Sequence, residues 1–433
     1  MSGAPAGEAP LVGPAAAVEP EARQAPAAPR GELSGTVKVA SLVLLGGVFV
    51  MDGYDLNAMA LAVPHLAVPM GLEPAAFGLV FSAALVGLGA GAALVAPLGD
   101  RFGRRELIVG GCMVAALATA ATAFSTSITA FLIWRFFTGA ALGACLPNCT
   151  ALSSELAPPR LRATVMAVVS AGIVLGAMGA GVTAPEVVAA GGWRALFFIP
   201  AAFAALLGLA LWLVLPKGST RPPAPANASR MPQLMLFRAP WRFPFAIFAA
   251  ALALNAANIY LLTSWTPTVL PQAGFTVEQA ARLTGIMQGA GLVLGLGMSV
   301  LIDRWRPGPT LVAGFVLMCA CFLTILLTPP DPTRWAVLLL VGAGGASGFA
   351  MALPALAAYL FPAHVLSSAM GMGVLVARVG AIAGPLIGQA MLGAGASPQA
   401  ILGAAALPAA LAALVCLGVG AALKVNGRSG QTA

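Results

Sequence analysis

Charge is what this chain has least of. Only 8% of its 433 residues are Asp, Glu, Lys or Arg, whereas 60% are hydrophobic. A soluble domain carries roughly 25% charged residues, so this chain cannot cover itself in polar surface. That excludes an ordinary water-soluble fold and leaves a polytopic membrane protein. Disulfide and metal chemistry find no support either. The six cysteines all fall in apolar runs, and although Cys145 and Cys149 are one helical turn apart, no His or further Cys stands near them. Packing is the expected role of all six. The two histidines, His65 and His364, fall near the ends of apolar runs and are expected at the interface. No phosphate loop, zinc spacing or nucleophile elbow is present, so neither ATP-driven pumping nor enzymatic catalysis is expected, and no cofactor is implied. The glycine strings Gly87/Gly89/Gly91 and Gly172/Gly176/Gly179 imitate nucleotide motifs but lie within apolar runs, where small residues let helices approach closely.

What the chain has instead is long apolar segments. Twelve can cross a bilayer: residues 39–66, 77–98, 106–124, 128–156, 163–189 and 193–215, then 243–271, 279–301, 309–328, 334–361, 365–392 and 398–423. Residues 1–35 are rich in Ala and Pro and lack the basic start and apolar stretch of a secretory signal; they are expected to form a disordered tail. With the N-terminus in the cytoplasm, one face collects Arg23, Arg30, Lys38, Arg101, Arg104, Arg105, Arg160, Arg162, Lys217, Arg221, Arg230, Arg238, Arg242, Arg304, Arg306, Lys424 and Arg428. The opposite face keeps only Arg194, Arg282 and Arg334, and Arg135 and Arg378 are left within spans. This bias places both termini inside, in a bacterial-type inner membrane. The net charge of +8 is therefore a topology signal and gives no reason to invoke nucleic acid.

A weak repeat divides the spans six and six. Ala151–Arg160 reads like Ala355–His364, and Gly99–Arg104 like Ile302–Pro307, at nearly one spacing. The expected architecture is an all-α membrane protein whose twelve helices form two pseudo-symmetric halves. These are 36–215 and 243–424, joined by a cytoplasmic linker at 216–242 and followed by a tail at 425–433.

Two carboxylates interrupt the first span, in Met51-Asp52-Gly53-Tyr54-Asp55. Spaced i, i+3, Asp52 and Asp55 share one helix face, Asp52 near mid-span and Asp55 about one turn further out. Charges at such depth are costly and are rarely left without a use. Two readings stand: a fixed salt bridge pinning the first helix to a neighbour, or carriage of a proton, with the two acids titrating as a pair. Arg378, near mid-span, and Arg135, nearer the outer end of its own, each need a partner. That partner is either a protein carboxylate or a transported one, held by two hydrogen bonds. Glu155 lies at a cytoplasmic helix end, where a bridge to Arg160, Arg162 or the neighbouring loop is expected.

The loop Gly99-Asp100-Arg101-Phe102-Gly103-Arg104-Arg105 resembles the signature loop of the major facilitator superfamily. The resemblance implies a gate built from Gly99, Asp100, Arg101, Gly103 and Arg104, with Asp100 capping or pairing with the other half. Its counterpart at Asp303 and Arg304 has lost the glycine. Asp52-Gly53-Tyr54-Asp55, Gly143–Asn148 with Ser154, Glu155 and Pro158, Ser264-Trp265-Thr266-Pro267, and Arg378–Ile382 with Gly384-Pro385 are similar to the aromatic acid:proton symporter family. That resemblance implies import of a benzoate-like or hydroxybenzoate-like anion with protons, by rocking of the two halves. Asp52 and Asp55 would couple the proton, and Arg378 and Arg135 would hold the anion. Tyr54, Asn148, Tyr260 and Trp265 are candidates for the wall around the ring, as are Tyr359, Asn255 and Asn258. A monomer in the lipid bilayer is expected. One alternative is a proton-driven exporter; the Gly-Pro pair usual in the fifth span of drug antiporters is found here in the eleventh. A non-transporting sensor of aromatic acids is another, disfavoured by short soluble tails.

Overall fold

The computed structural model describes residues 34–158, 160–215 and 232–425. The expected N-terminal tail up to residue 33, most of the linker and the residues after 425 lie outside the described residues.

Among the described residues, twelve helices are long and apolar enough to span a membrane. They are α1 (Gly35–Leu66), α2 (Pro74–Phe102), α3 (Arg104–Ala123), α4 (Ile128–Leu156), α5 (Thr164–Gly191), α6 (Ala195–Val214), α7 (Arg242–Ala273), α8 (Val277–Arg304), α9 (Pro307–Leu327), α10 (Pro332–Leu360), α11 (Ser368–Gly393) and α12 (Pro398–Leu423). Every apolar run marked in the sequence became one of them. In hydrocarbon each backbone N–H and C=O must be satisfied within the segment, so long apolar runs have no alternative to the helix. Several starts are written in the sequence as well. Ser127, Thr276, Asp331 and Ser397 each accept from the amide three residues on, at the beginnings of α4, α8, α10 and α12. Leu117, Leu213 and Leu327 point outward, as side chains meeting lipid do.

The pairings within one half reappear in the other. Helix α1 packs on α5, α2 on α4 and α3 on α6; correspondingly α7 packs on α11, α8 on α10 and α9 on α12. Across the halves, α5 meets α8 and α2 meets α11, which are again equivalent pairs. These contacts cluster at the end opposite the arginine-rich loops. There Gly181 lies so close to Gly285 that a Cβ on either would strike backbone. Nearby, Phe81 meets Trp265 edge-on, with ring centroids 5.4 Å apart, and the Ser82 hydroxyl donates to the Ile382 carbonyl at 3.1 Å. Arg282 pairs with Glu186 at the same end.

Helix α2 is irregular where it approaches the signature loop, with a wide turn at Gly91–Val95 and a tight one at Ala96–Leu98. The loop then turns at Gly103, whose φ of 107° suits glycine and few other residues.

Candidate functional site

A cavity of about 270 Å³ lies between the halves, walled by residues of α1, α5, α7, α8, α10 and α11. Leu56, Ile173, Val174, Leu252, Ile259 and Val374 make it mainly apolar, while Asn57, Asn255, Tyr260, Gln288, Ser347 and Arg378 supply polar tips. A larger cavity of about 500 Å³ sits inside one half among α2, α3 and α4, but apolar side chains and glycines line it almost throughout. A ligand site needs a few convergent polar groups on an apolar wall, and of these two cavities the one between the halves has them.

Arg378 reaches this wall from mid-α11, half-buried, and forms no ion pair among the described residues. Tyr260 lines the same wall. Asp52 stands behind the wall, 2% exposed, and its Oδ1 has no hydrogen-bond partner among the described residues. Arg378, Asp55 and Arg135 are the charged groups around it.

Asp55 is placed differently. Arg135 Nη1 lies 2.8 Å from both of its carboxylate oxygens, Arg135 Nη2 donates to its main-chain carbonyl at 2.9 Å, and the Thr119 hydroxyl donates at 3.2 Å. Arg135, expected on the substrate, is instead spent on holding α1 to α4, and it does not line the cavity. Of the two expectations for these acids, the fixed salt bridge describes Asp55.

Three other candidates also lie off the cavity, each for a local reason. Asn148 donates to the carbonyls of Ala96, in the irregular end of α2, and of Ala144, one turn back on its own helix, at 3.0 and 2.9 Å, and so ties α4 to α2. Tyr54 faces Thr183 on α5. Trp265 is fully buried at the seal between the halves, its indole N–H donating to the Pro385 carbonyl at 3.0 Å. Of the expected wall residues, Arg378, Tyr260 and Asn255 do line the cavity, whereas Asn258 is fully buried elsewhere and Tyr359 donates to Asp303 at 3.0 Å.

At the arginine-rich end, Glu155 takes Arg104 of the signature loop at 2.6 Å, one of the partners expected for it, rather than Arg160. Arg104 also holds Asp100 at 2.9 Å, so Asp100 is engaged within its own half rather than across to the other. Arg104 is the buried member, and it brings two carboxylates onto one guanidinium. Arg101 and Arg304 are exposed on the same end.

Asn57, Gln288 and Ser347 were not among the residues expected on the wall. Each is an uncharged polar group in an apolar span, where no charge or motif marks it.

Comparison with known proteins agrees with this geometry. Residues 43–385 match the family described as the Major Facilitator Superfamily. The chain is 30% identical, over 376 residues, to the 4-hydroxybenzoate transporter PcaK of Pseudomonas putida, covering 80% of this chain and 84% of that one. It is 29% identical to a gallate transporter of Pseudomonas putida, over 82% and 85% of the two chains. A mutant of the nucleoside transporter NupG, known by crystal structure, matches with a TM-score of 0.74 at 16% identity, over 88% of this chain and 99% of the other, a likeness of fold alone.

Proposed function

The chain belongs to the Major Facilitator Superfamily, and on that footing we propose that this transporter imports a small aromatic carboxylate together with protons by alternating access. The observation that carries the reading is Arg378, a guanidinium without an ion pair on the wall of an otherwise apolar cavity between the halves. Its fork matches a carboxylate, and the apolar walls match a ring. The transporters of 4-hydroxybenzoate and gallate among its relatives support an aromatic acid as the cargo.

Proton coupling follows from charge balance. Arg378 cannot neutralise both a bound carboxylate and Asp52, and a surplus negative charge inside the membrane is costly. A proton on Asp52 removes that surplus, so anion and proton travel together. Asp55, already held by Arg135, serves as the anchor beside it. The end sealed by α2–α11 and α5–α8 is the outward one when the arginine-rich face lies in the cytoplasm, which makes this structure one extreme of a rocking cycle.

The test is uptake of radiolabelled 4-hydroxybenzoate into proteoliposomes, with and without an inward proton gradient. Accumulation that needs the gradient and collapses with an uncoupler is expected. Asp52→Asn is expected to lose that accumulation while retaining exchange of labelled for unlabelled acid, and Arg378→Ala to lose both. Folded wild-type protein that takes up no aromatic acid overturns the reading.

A further inference from the structure

The larger cavity, about 500 Å³ among α2, α3 and α4, has no part in the transport reading, and its origin is local. Helix α2 widens at Gly91–Val95 as it passes, and Gly110 and Gly111 face it from α3. The floor is closed by tight packing. A Cβ on Gly91 would strike the Ala140 carbonyl, and one on Gly111 the Cys145 sulfur. A Cβ on Gly110 would meet nothing within 4 Å, so the free space stands in front of Gly110.

This hollow opens away from the other half. Helix α3, which forms one wall, packs on α4 and α6 within its own half. Leu94, Val114 and Phe137 stand at the mouth, 73%, 47% and 48% exposed, and all three belong to membrane-spanning helices. An exposed apolar side chain there meets hydrocarbon. Left empty, the hollow would forfeit dispersion contacts on every lining atom, so the surrounding lipid is its natural occupant.

One charged group lines the cavity, and it stands at one end. Glu106 lies in the first turn of α3, at the arginine-rich face, with its side chain 46% exposed. Arg105 Nη1 is 3.5 Å from it, at the limit of a hydrogen bond. The same guanidinium donates to the Trp212 carbonyl and lies 4.3 Å from the centre of the Trp212 ring. Arg105 is thus largely spent on α6, and the Glu106 carboxylate keeps room to accept from a second cation.

We propose that this cavity is a phospholipid site of the leaflet at the arginine-rich face: one acyl chain lies in front of Gly110, and the ammonium of an ethanolamine headgroup pairs with Glu106. A glycerol headgroup brings no cation to that carboxylate. Discrimination between phosphatidylethanolamine and phosphatidylglycerol is therefore the mark of Glu106. An exposed ion pair contributes little, so the preference is up to about fivefold.

The experiment is native mass spectrometry of the full chain in detergent, titrated with either lipid carrying the same acyl chains. Wild type is expected to show a saturable first adduct, with phosphatidylethanolamine favoured up to about fivefold. Gly110→Leu places a side chain where the acyl chain lies and is expected to weaken that adduct about tenfold for both lipids, and Gly110→Ala about threefold. The control is Gly297→Leu, at a glycine of α8 that also has nothing within 4 Å of a Cβ and lines neither cavity; the adduct is expected to be unchanged. Glu106→Gln is expected to keep the adduct and lose the preference. No saturable adduct in wild type, or one that survives both substitutions of Gly110 at full strength, overturns the site. If Gly110→Leu fails to fold, Gly110→Ala decides. Equal affinity for the two lipids in wild type, or a preference that persists in Glu106→Gln, overturns the pairing with the headgroup. A dimer that Gly110→Leu dissolves, with the lipid adduct untouched, gives the cavity to a second copy of the chain and overturns the proposal. No outcome depends on the cargo, so the transport reading stands or falls separately.

Discussion

Asp52 and Asp55 stand one turn apart on α1 and are equally buried, yet only Asp55 has a cation in contact. Arg135 and Arg378 divide in the same way: the first is 1% exposed and committed to Asp55, the second is half-buried at a cavity wall. Residue types are alike in the two pairs and all four residues lie within spans, so the difference in partnership arises from packing. Where α3 and α4 close on α1, Thr119 and Arg135 surround the carboxylate and the charge becomes part of the scaffold. Asp52 on α1 and Arg378 on α11 form no ion pair with each other, and Arg378 faces a cavity that a third charge can enter. A buried charge in a span is thus no sign of transport by itself; the state of its partner decides.

Removing Arg135 is the harshest way to probe this contrast. In Arg135→Ala the Asp55 charge stays buried with no cation, and breaking such a pair costs about 3–5 kcal/mol. Loss of most folded protein, or a large fall in Tm in detergent, is expected, with recovery when Asp55→Asn is added. Arg378→Ala gives up no ion pair and is expected to stay close to wild type in Tm. Equal losses for the two arginines would break the distinction.

Asp52→Asn gives a smaller effect on stability. The amide has the shape of the carboxylate and removes a buried charge that has no contacting cation, so Tm is expected to hold or rise slightly. Asp55→Asn strands Arg135 instead and is expected to lower Tm about as far as Arg135→Ala does. Thermal unfolding of the two single variants side by side, in one detergent, checks this.

The spans were legible because hydrophobic length is a signal carried by each segment alone. The depth of Asp52, Asp55, Arg135 and Arg378 came from the same counting. Partnership was not legible. In sequence Arg135 and Arg378 are both solitary guanidiniums in apolar runs, and only the packing of α1 against α4 shows which one meets a carboxylate. Asn148 and Trp265 show the same limit: an amide and an indole in apolar spans look like a binding wall until the irregular end of α2 and the seal at Phe81 take them up. Glu155 was readable as a helix-end ion pair, and of the partners open to it the fold delivers Arg104 of the loop rather than Arg160. Asn57 and Gln288 carry no charge, so the cost of burial that singled out the acids spoke more quietly for them.

Thr119→Ala is the mildest probe and the one that tests how completely Asp55 is held. It removes one hydrogen bond to a carboxylate whose two oxygens still face Arg135, so the expected loss is about 1.5 kcal/mol, the low end for bonds to charged groups. Stability should drop by that amount, while gradient-driven uptake and its dependence on Asp52 stay as in wild type. The reason is geometric: Thr119 lies on α3, inside one half, and has no part in the wall where the anion sits. If uptake instead fell as far as in Asp52→Asn while Tm barely moved, Asp55 would have to exchange its proton too, and the division between an anchored acid and a working one would give way to a shared pair.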